Sequence, residues 1–267
     1  MHFGAQLRPA ADTAPGGTRN PAALLRDLSL HFAALGITRL ARQTGLDRIG
    51  IPCYAAIRPQ SATLATHQGK GVDDISAQLS AVMEAAEYAI AEAPETPQKT
   101  LSMAEARAGS FELLEVTHLL PRGAAIDETK PIRWVEGFDL ATGAPVLVPY
   151  DAVVLGTPPR DLVGLSQSTN GIAAGTRLSG ALLHGLCEVI ERDGVAAGAG
   201  RDIEVLVGAI GRKQRRIDDR HADIVGLVEQ SQPVAGAGDL VGLLETGLMQ
   251  CVYIQIDIRG IALRHSG

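Results

Sequence analysis

Residues 69–87 read GKGVDDISAQLSAVMEAAE and decide the fold, because they join a glycine-flanked segment to a strongly amphipathic stretch. From Asp74 to Ala93 the apolar side chains recur at three- and four-residue spacing, which places them on one stripe of a helix. Ser80, Glu84 and Glu87 fall on a different face of that helix. The pattern predicts a helix that buries one side and directs two carboxylates from another.

The same arrangement returns in residues 175–193, which read GTRLSGALLHGLCEVIERD and predict a second helix over residues 178–197. An offset of 104 residues aligns the two Glu-x-x-Glu motifs, with Glu84 matching Glu188 and Glu87 matching Glu191. Residues three or four apart share a helix face, so each motif aims two carboxylates in one direction. The repeat predicts two related halves whose acidic faces meet at a shared cleft.

Four converging carboxylates need cations to cancel their charge, and their chemistry indicates which cations. Oxygen ligands favour Mg²⁺ or Mn²⁺ over zinc or iron, and Mg²⁺ often bridges protein carboxylates to phosphate oxygens. The implied ligand is a nucleotide. Two ordinary amphipathic helices with solvated glutamates remain the alternative interpretation for each motif taken singly.

Patterns typical of helices and of short strands alternate along the rest of the chain. Residues 1–20 are rich in Pro and Gly and are expected to form a flexible arm, followed by one domain over residues 21–267. Its two halves are placed at about residues 21–110 and 130–267. Within them the pattern predicts a helix over 21–35, a strand over 49–57, a loop at 68–71, a hairpin over 134–150 and a strand over 252–258.

Composition excludes several classes of protein. Aromatic residues make up only 3% against 46% apolar residues, so the core must be built from aliphatic side chains. A net charge of −6 argues against a nucleic-acid binder. The three cysteines are far apart, which fits neither a disulfide framework nor a zinc ribbon, and Cys187 is expected to be buried. No signal peptide or membrane-spanning run is recognisable, so a cytoplasmic location and no membrane partner are predicted. A homodimer is left open.

Six segments carry a resemblance to a known family. They are LDRIGIP (46–52), GKG (69–71), SAVMEAAE (80–87), WVEGFDLATG (134–143), STNGIAAG (168–175) and LLHGLCEVIERD (182–193). In this order they resemble the YcaO family, whose members are ATP-dependent enzymes that activate a peptide-bond carbonyl. The resemblance covers about residues 16–193 and fades beyond them.

The resemblance implies a mixed α/β fold with two pseudo-related halves that clamp Mg-ATP between acidic helices. It implies phosphorylation of an amide oxygen in a peptide or protein substrate, which leads to an azoline or a thioamide, in the latter case often with a TfuA-like partner protein. The residues that it assigns to Mg²⁺ are Glu84, Glu87, Glu188 and Glu191. Those that it assigns to the nucleotide are Ser80, Arg192 and Thr176.

Because the chain departs from the family pattern at several positions, we expect it not to turn over substrate at the rate typical of the family. The segment Pro15-Gly16-Gly17-Thr18 lacks the Lys that members often carry, and Gly180 stands where a further metal-binding Glu is common. The last third of the family pattern has no counterpart after Ile258, so the chain resembles a C-terminally short member. The alternatives are therefore a non-catalytic YcaO-like binding protein, or a truncated and inactive product.

Overall fold

The computed structural model describes residues 20–198, apart from positions 95–97, 110, 115, 117–118, 122, 141–142 and 166, together with residues 224–228 and 250–256. The helices are α1 (Pro21–Ser29), α2 (Asp74–Glu92), α3 (Met103–Ala108) and α4 (Leu178–Gly198). The strands are β1 (Arg39–Arg42), β2 (Cys53–Ile57), β3 (Thr66–Lys70), β4 (Gln98–Leu101), β5 (Glu112–Leu113), β6 (Ile132–Asp139), β7 (Pro145–Pro149), β8 (Ile172–Gly175), β9 (Ile224–Val228) and β10 (Gln250–Ile256). The predicted mixed α/β class is confirmed.

Two sheets place the acidic helices beside each other. The first sheet has the antiparallel order β1-β2-β3, and the second has the order β5-β7-β6-β9-β10-β8, with β4 paired to β6. Among the described strands, β3 and β8 are therefore edge strands of their sheets. α2 follows β3 directly, α4 follows β8 directly, and α2 contacts both β3 and β8. Each acidic helix thus begins shortly after an edge strand.

Glycine allows each edge strand to lie against the helix that follows it. A Cβ atom on Gly71 would come within 2.5 Å of the backbone N of Ala77, and one on Gly175 within 2.9 Å of the backbone N of Ala181. These two glycine–alanine contacts stand 104 residues apart, like the Glu-x-x-Glu motifs. The repeat found in the sequence is therefore a repeated strand-to-helix junction.

Small side chains fill the core beside α2, as the composition predicts. Ala81, Ala85 and Ala86 are fully buried and pack with Leu28 and Leu35 from the segment that contains α1. A second core lies on the larger sheet, where Trp134 is fully buried and its Nε1 donates a hydrogen bond to the Leu101 carbonyl at 2.9 Å. Both cores hold α2 and the larger sheet in fixed positions around the site described below.

Three predicted elements differ from the structure. The strand expected over residues 49–57 begins only at Cys53, because Gly50 has a φ of +76° and Pro52 has no N–H to donate to a ladder. Residues 68–70, expected as a loop, belong to β3. The helix expected over 21–35 ends at Ser29, where a series of turns replaces it.

The starts of α2 and α4 and the hairpin agree with the predictions, whereas the predicted burial of Cys187 is wrong. α2 and α4 begin at the predicted residues, and the hairpin over residues 134–150 is the antiparallel pair β6–β7. Cys187, expected to be buried, is exposed on α4. No helix in the described part of the chain combines the length and the apolar character needed to cross a bilayer.

Candidate functional site

Three of the repeated carboxylates are held by backbone N–H groups at the edges of the two sheets. Glu84 accepts a hydrogen bond from the backbone N–H of Gln68 in β3. The Oε1 atom of Glu87 accepts one from the N–H of Ala174 in β8, at 2.8 Å. The Oε2 atom of Glu188 accepts one from the N–H of Gly171, just before β8, at 3.1 Å. The carboxylates therefore lie between two strand edges and accept hydrogen bonds from backbone N–H groups there.

A cavity of about 600 Å³ opens beside these carboxylates. Its polar lining consists of Glu84, Glu87, Tyr88, Thr169, His184, Glu188 and Arg192. Its apolar lining includes Pro21 and Leu24 of α1 and Leu79 and Met83 of α2. Ser76 and Ser80 of α2, with Ile172 and Ala174 of β8, complete the wall. The size and the mixed lining suit a small ligand that has both apolar and charged groups.

Burial and mutual repulsion raise the pKa values of two of these carboxyl groups, which disfavours their ionised forms in the absence of a cation. Burial, together with the charges of Glu188 and Glu84, raises the pKa of Glu87 to about 8, although the Ala174 N–H bond opposes the shift. Burial and the Glu188 charge also raise the pKa of Glu84 above its usual range, and the Lys70 charge partly opposes this. A bound cation would reverse both shifts, so the site favours positively charged ligands.

Few positively charged side chains lie near these carboxylates to balance their charge. Arg192 lines the cavity, but its Nη2 atom is 2.5 Å from Oε1 of Glu188 and so is already engaged by one of the three carboxylates. Lys70 is exposed at the end of β3 and acts on Glu84 through its charge. With all side chains ionised, the cavity lining holds three carboxylates against one guanidinium, which leaves room for added cations.

The donor chemistry fits Mg²⁺ that is shared with another ligand. In the described part of the chain, no three acidic, His or Cys side chains lie close enough to hold one metal ion among them. Mg²⁺ needs about six oxygen ligands and usually keeps several from water or phosphate. Each carboxylate could therefore supply one or two oxygen ligands to such an ion, and water or another bound molecule would have to supply the rest.

The structure brings together five of the seven residues that the sequence assigned to the site. Ser80, Glu84, Glu87, Glu188 and Arg192 line the cavity. Thr176 and Glu191 are not among the lining residues. Thr176 is half-buried directly after β8, and Glu191 is exposed on α4 one turn beyond Glu188.

Tyr88 and Thr169 are site residues that sequence reasoning missed. The Tyr88 hydroxyl hydrogen-bonds Thr169, and burial raises the pKa of Tyr88. Behind it, the fully buried His67 ring lies 4.7 Å from the Tyr88 ring, between their centroids. Burial and the Arg58 charge lower the pKa of His67 to about 4, so the ring is neutral at pH 7. Tyr88 aligns with Arg192 at the 104-residue offset, and this alignment was the signal available in the sequence.

An ion pair fixes the far end of α2 beneath this wall. Nη2 of Arg58 donates to Oε2 of Glu92 at 2.8 Å, and both side chains are less than a tenth exposed. The other oxygen of Glu92 accepts hydrogen bonds from the Ser61 hydroxyl at 2.6 Å and the Thr63 N–H at 3.0 Å. These bonds hold the loop after β2 and the wall residue Tyr88 in one arrangement.

Comparison with known proteins identifies relatives of this chain. The sequence profile of a family described as YcaO cyclodehydratase, ATP- and Mg²⁺-binding, matches residues 68–236. An uncharacterized protein in the tfuA 3′ region of Rhizobium leguminosarum bv. trifolii is 42% identical over 178 residues, which are 65% of this chain and 41% of the relative. An uncharacterized protein of Methanothermobacter thermautotrophicus is 35% identical over 178 residues, or 65% of this chain and 45% of the relative. The chain thus spans less than half the length of these curated relatives.

Two solved structures share the fold. A heterocyclase in complex with substrate and cofactor gives a TM-score of 0.56 at 20% identity, covering 78% of this chain and 33% of that one. The structure titled as YcaO from Methanopyrus kandleri bound with AMPPCP and Mg²⁺ gives 0.51 at 23% identity, covering 85% of this chain and 68% of that one. At these identities the likeness concerns the fold alone.

Proposed function

The chain belongs to the YcaO family, and on that premise we propose that it binds Mg-ATP between α2 and α4 and uses it to activate a backbone amide of a peptide. The observation that carries the proposal is the set of three carboxylates, from both halves, that line one cavity while lacking cations to balance them. The matched family's description as ATP- and Mg²⁺-binding supports the choice of ligand. We further propose that the protein acts in the cytoplasm and that nucleic acid is not among its ligands.

The mixed lining of the cavity suits the apolar base and the charged phosphates of a nucleotide. Leu24, Leu79 and Met83 contribute apolar surface that would suit the adenine base, and Met adapts its shape to a flat ring. Ser80 precedes Glu84 by one turn of α2, and we propose that it contacts the sugar or the phosphates. Glu84, Glu87 and Glu188 would share Mg²⁺ with the phosphate oxygens, and Arg192 would shift from Glu188 toward the phosphates.

The chemistry requires positioning rather than covalent help from the protein. Bound ATP would supply a phosphoryl group that converts an amide oxygen into a leaving group. The backbone bonds to Glu87 and Glu188 keep those carboxylates from moving when a cation arrives, and fixed charges stabilise developing charge best. A Cys, Ser or Thr side chain of the peptide would add to the activated carbon to give an azoline, or a sulfide donor would add to give a thioamide, and the phosphorylated oxygen would leave as phosphate in either case. The tfuA-region relative supports the thioamide branch and a TfuA-like partner.

Thr176 and Glu191 complete the proposed set of ligands outside the cavity. Glu191 is one helical turn from Glu188, so a second Mg²⁺ between them would lie toward the exposed side of α4. Thr176 directly follows β8 and precedes the start of α4 by two residues. In this proposal the triphosphate extends out of the cavity.

Replacing Glu84 and Glu188 together with Gln is expected to weaken Mg-ATP binding at least tenfold, since each change removes a negative ligand but keeps the side-chain shape. Isothermal titration calorimetry with Mg-ATP measures the effect. The control replaces the exposed Glu112 and Glu128 with Gln and should leave affinity unchanged. Equal affinities for both double variants would mean that the carboxylates only cap the strand edges.

A non-catalytic binding protein is the second candidate, favoured by the position of Thr176 and Glu191 outside the cavity lining. It predicts Mg-ATP binding without release of phosphate, because misplaced phosphate ligands cost orders of magnitude in rate. Steady-state phosphate release, with and without a candidate peptide and a TfuA-like partner, separates the two. Peptide-stimulated release would establish the enzyme, and tight binding without release would establish the alternative.

A further inference from the structure

The surface formed by β1 and the following loop, residues 43–52, lies apart from the cavity lining. β1 pairs with β2 on one side only, and no other described strand pairs with its second side. An unpaired strand edge presents N–H and C=O groups that can pair with another extended chain. We call β1 and residues 43–52 the edge surface.

The loop of the edge surface exposes three large apolar side chains to solvent. Leu46 is 84% exposed, Ile49 is 74% exposed and Ile51 is 51% exposed. Single exposed apolar residues are ordinary, but three within six residues form a patch of the kind that marks an interaction site.

The shape of this loop does not depend on burying those side chains. Oδ1 of Asp47 accepts hydrogen bonds from the N–H groups of Ile49 at 2.9 Å and Gly50 at 3.3 Å. The Thr44 hydroxyl oxygen accepts one from the Cys53 N–H at 3.0 Å. The loop is thus built to present its apolar side chains outward, which reduces the ordering cost of binding a partner.

Positive charge surrounds the patch although the chain as a whole carries a net charge of −6. Arg39 and Arg48 are exposed, and no carboxylate among the described residues forms an ion pair with either. Arg42 is paired with Asp74 at 3.8 Å, in a contact exposed enough to exchange with another carboxylate. Arg39, Arg42 and Arg48 outnumber Asp47, the carboxylate within residues 39–52, so this surface is net positive and favours an acidic partner.

We propose that the edge surface binds an extended, acidic and apolar segment of the peptide substrate by strand addition to β1. Backbone hydrogen bonds to the free edge of β1 give affinity, while Arg39, Arg48 and the apolar patch select the sequence. The proposal rests on the proposed function in identifying this peptide as the substrate. The loop end is tied to the segment just before α2, since the Gly71 N–H donates to the Pro52 carbonyl at 3.2 Å.

Fluorescence anisotropy with labelled synthetic peptides tests the proposal on the full chain. The probes are a peptide of alternating Glu and Val, its counterpart with Lys for Glu, and a Glu-Val peptide with alternate backbone nitrogens methylated. The first should bind with an affinity that falls as salt rises, and the other two should bind at least tenfold more weakly. Replacing Arg39 and Arg48 with Glu should weaken binding at least tenfold, and Leu46→Ser with Ile49→Ser should also weaken it.

A matched control separates this surface from general charge effects. Arg26→Glu makes the same change at an exposed arginine on α1 and should leave peptide binding unaltered. Equal binding of the Glu and Lys peptides, or loss with Arg26→Glu alone, would overturn the proposal. A dimer that dissociates when Arg39 and Arg48 are changed, seen by light scattering, would overturn it in favour of a second copy. Mg-ATP calorimetry on the same variants shows whether the nucleotide proposal stands independently.

Discussion

Replacing Glu87 with Gln is expected to stabilise the cation-free chain at pH 9 and, in the same variant, to lower Mg-ATP affinity by at least a hundredfold. The wild-type carboxyl has a pKa of about 8 because burial and the nearby Glu188 and Glu84 charges disfavour its ionised form. Gln is neutral at every pH, and its Oε1 atom can still accept the hydrogen bond from the Ala174 N–H. The change removes a charging cost and a metal ligand at once.

The pH dependence follows from the direction of the pKa shift. A carboxyl whose folded pKa lies above its unfolded value of 4.5 binds more protons in the folded state between those two values. The free energy of unfolding therefore falls as pH rises from about 4.5 to about 8. One pKa unit corresponds to about 1.4 kcal/mol, so the shift gives a loss on the order of a few kcal/mol by pH 9. The Glu87→Gln variant should not show this fall in the free energy of unfolding, because Gln does not ionise.

Denaturant unfolding at pH 5 and pH 9, in the absence of divalent cations, measures the stability difference. We expect the wild type and the Glu87→Gln variant to differ more at pH 9 than at pH 5, with the variant more stable. Glu112→Gln, an exposed control, should follow the wild type at both values. Calorimetry with Mg-ATP then measures the second effect. A variant that is less stable at pH 9, or that binds Mg-ATP normally, would contradict the assignment of Glu87.

The opposite signs of these effects separate two roles for the carboxylate. A side chain that only caps the N–H of Ala174 would be replaced by Gln without loss, since a neutral oxygen accepts the same hydrogen bond. A metal-binding residue instead keeps a charge that costs stability until a cation arrives. Glu84 shows the same combination, with a backbone bond from Gln68 and a pKa raised by burial and by Glu188. We propose the second role for both glutamates, and the paired stability and binding measurements separate it from the first.

The regular elements could be predicted because their evidence is local in the sequence. The apolar stripe of α2 and the alternation around residues 141–145 each repeat within one element, and the structure has α2 and the β6–β7 pair at those places. β3 was predicted as a loop because Gly69 and Gly71 are uncommon in strands. Those glycines are needed for contact with α2, a tertiary requirement that no local pattern reveals.

The candidate site likewise contains residues that the sequence predicts and residues that only the tertiary structure reveals. The carboxylates were found from the 104-residue repeat, whereas Tyr88 and Thr169 meet only after α2 and the segment before β8 are brought together. Cys187 shows the limit of the helical pattern, since an apolar neighbour suggested burial but its helix face is exposed. The position of a face relative to the other half depends on how the two sheet edges approach each other.

Replacing Gly69 with Ala is expected to destabilise the chain by several kcal/mol, because the close approach of β3 to α2 leaves no space for a side chain. A Cβ atom at this position would lie 2.1 Å from the backbone N of Ala81 and 2.2 Å from the backbone carbonyl oxygen of Ala77. Both contacts are with helix backbone, so no side-chain rotation can relieve them. β3 or α2 would have to shift, and overpacking of this kind commonly costs about 1–3 kcal/mol or more.

The same substitution at Gly180 provides the matched control. Gly180 is in the first turn of α4, and a Cβ atom there would meet nothing within 4 Å. Alanine in an exposed helix is favoured over glycine by roughly 0.5–1 kcal/mol, so Gly180→Ala should stabilise the chain slightly. Denaturant unfolding of both variants against the wild type measures the two effects. Because Gln68 donates to Glu84 from the strand that must shift, any folded Gly69→Ala chain should also bind Mg-ATP more weakly. Wild-type stability in Gly69→Ala would show that β3 does not lie against α2 as described.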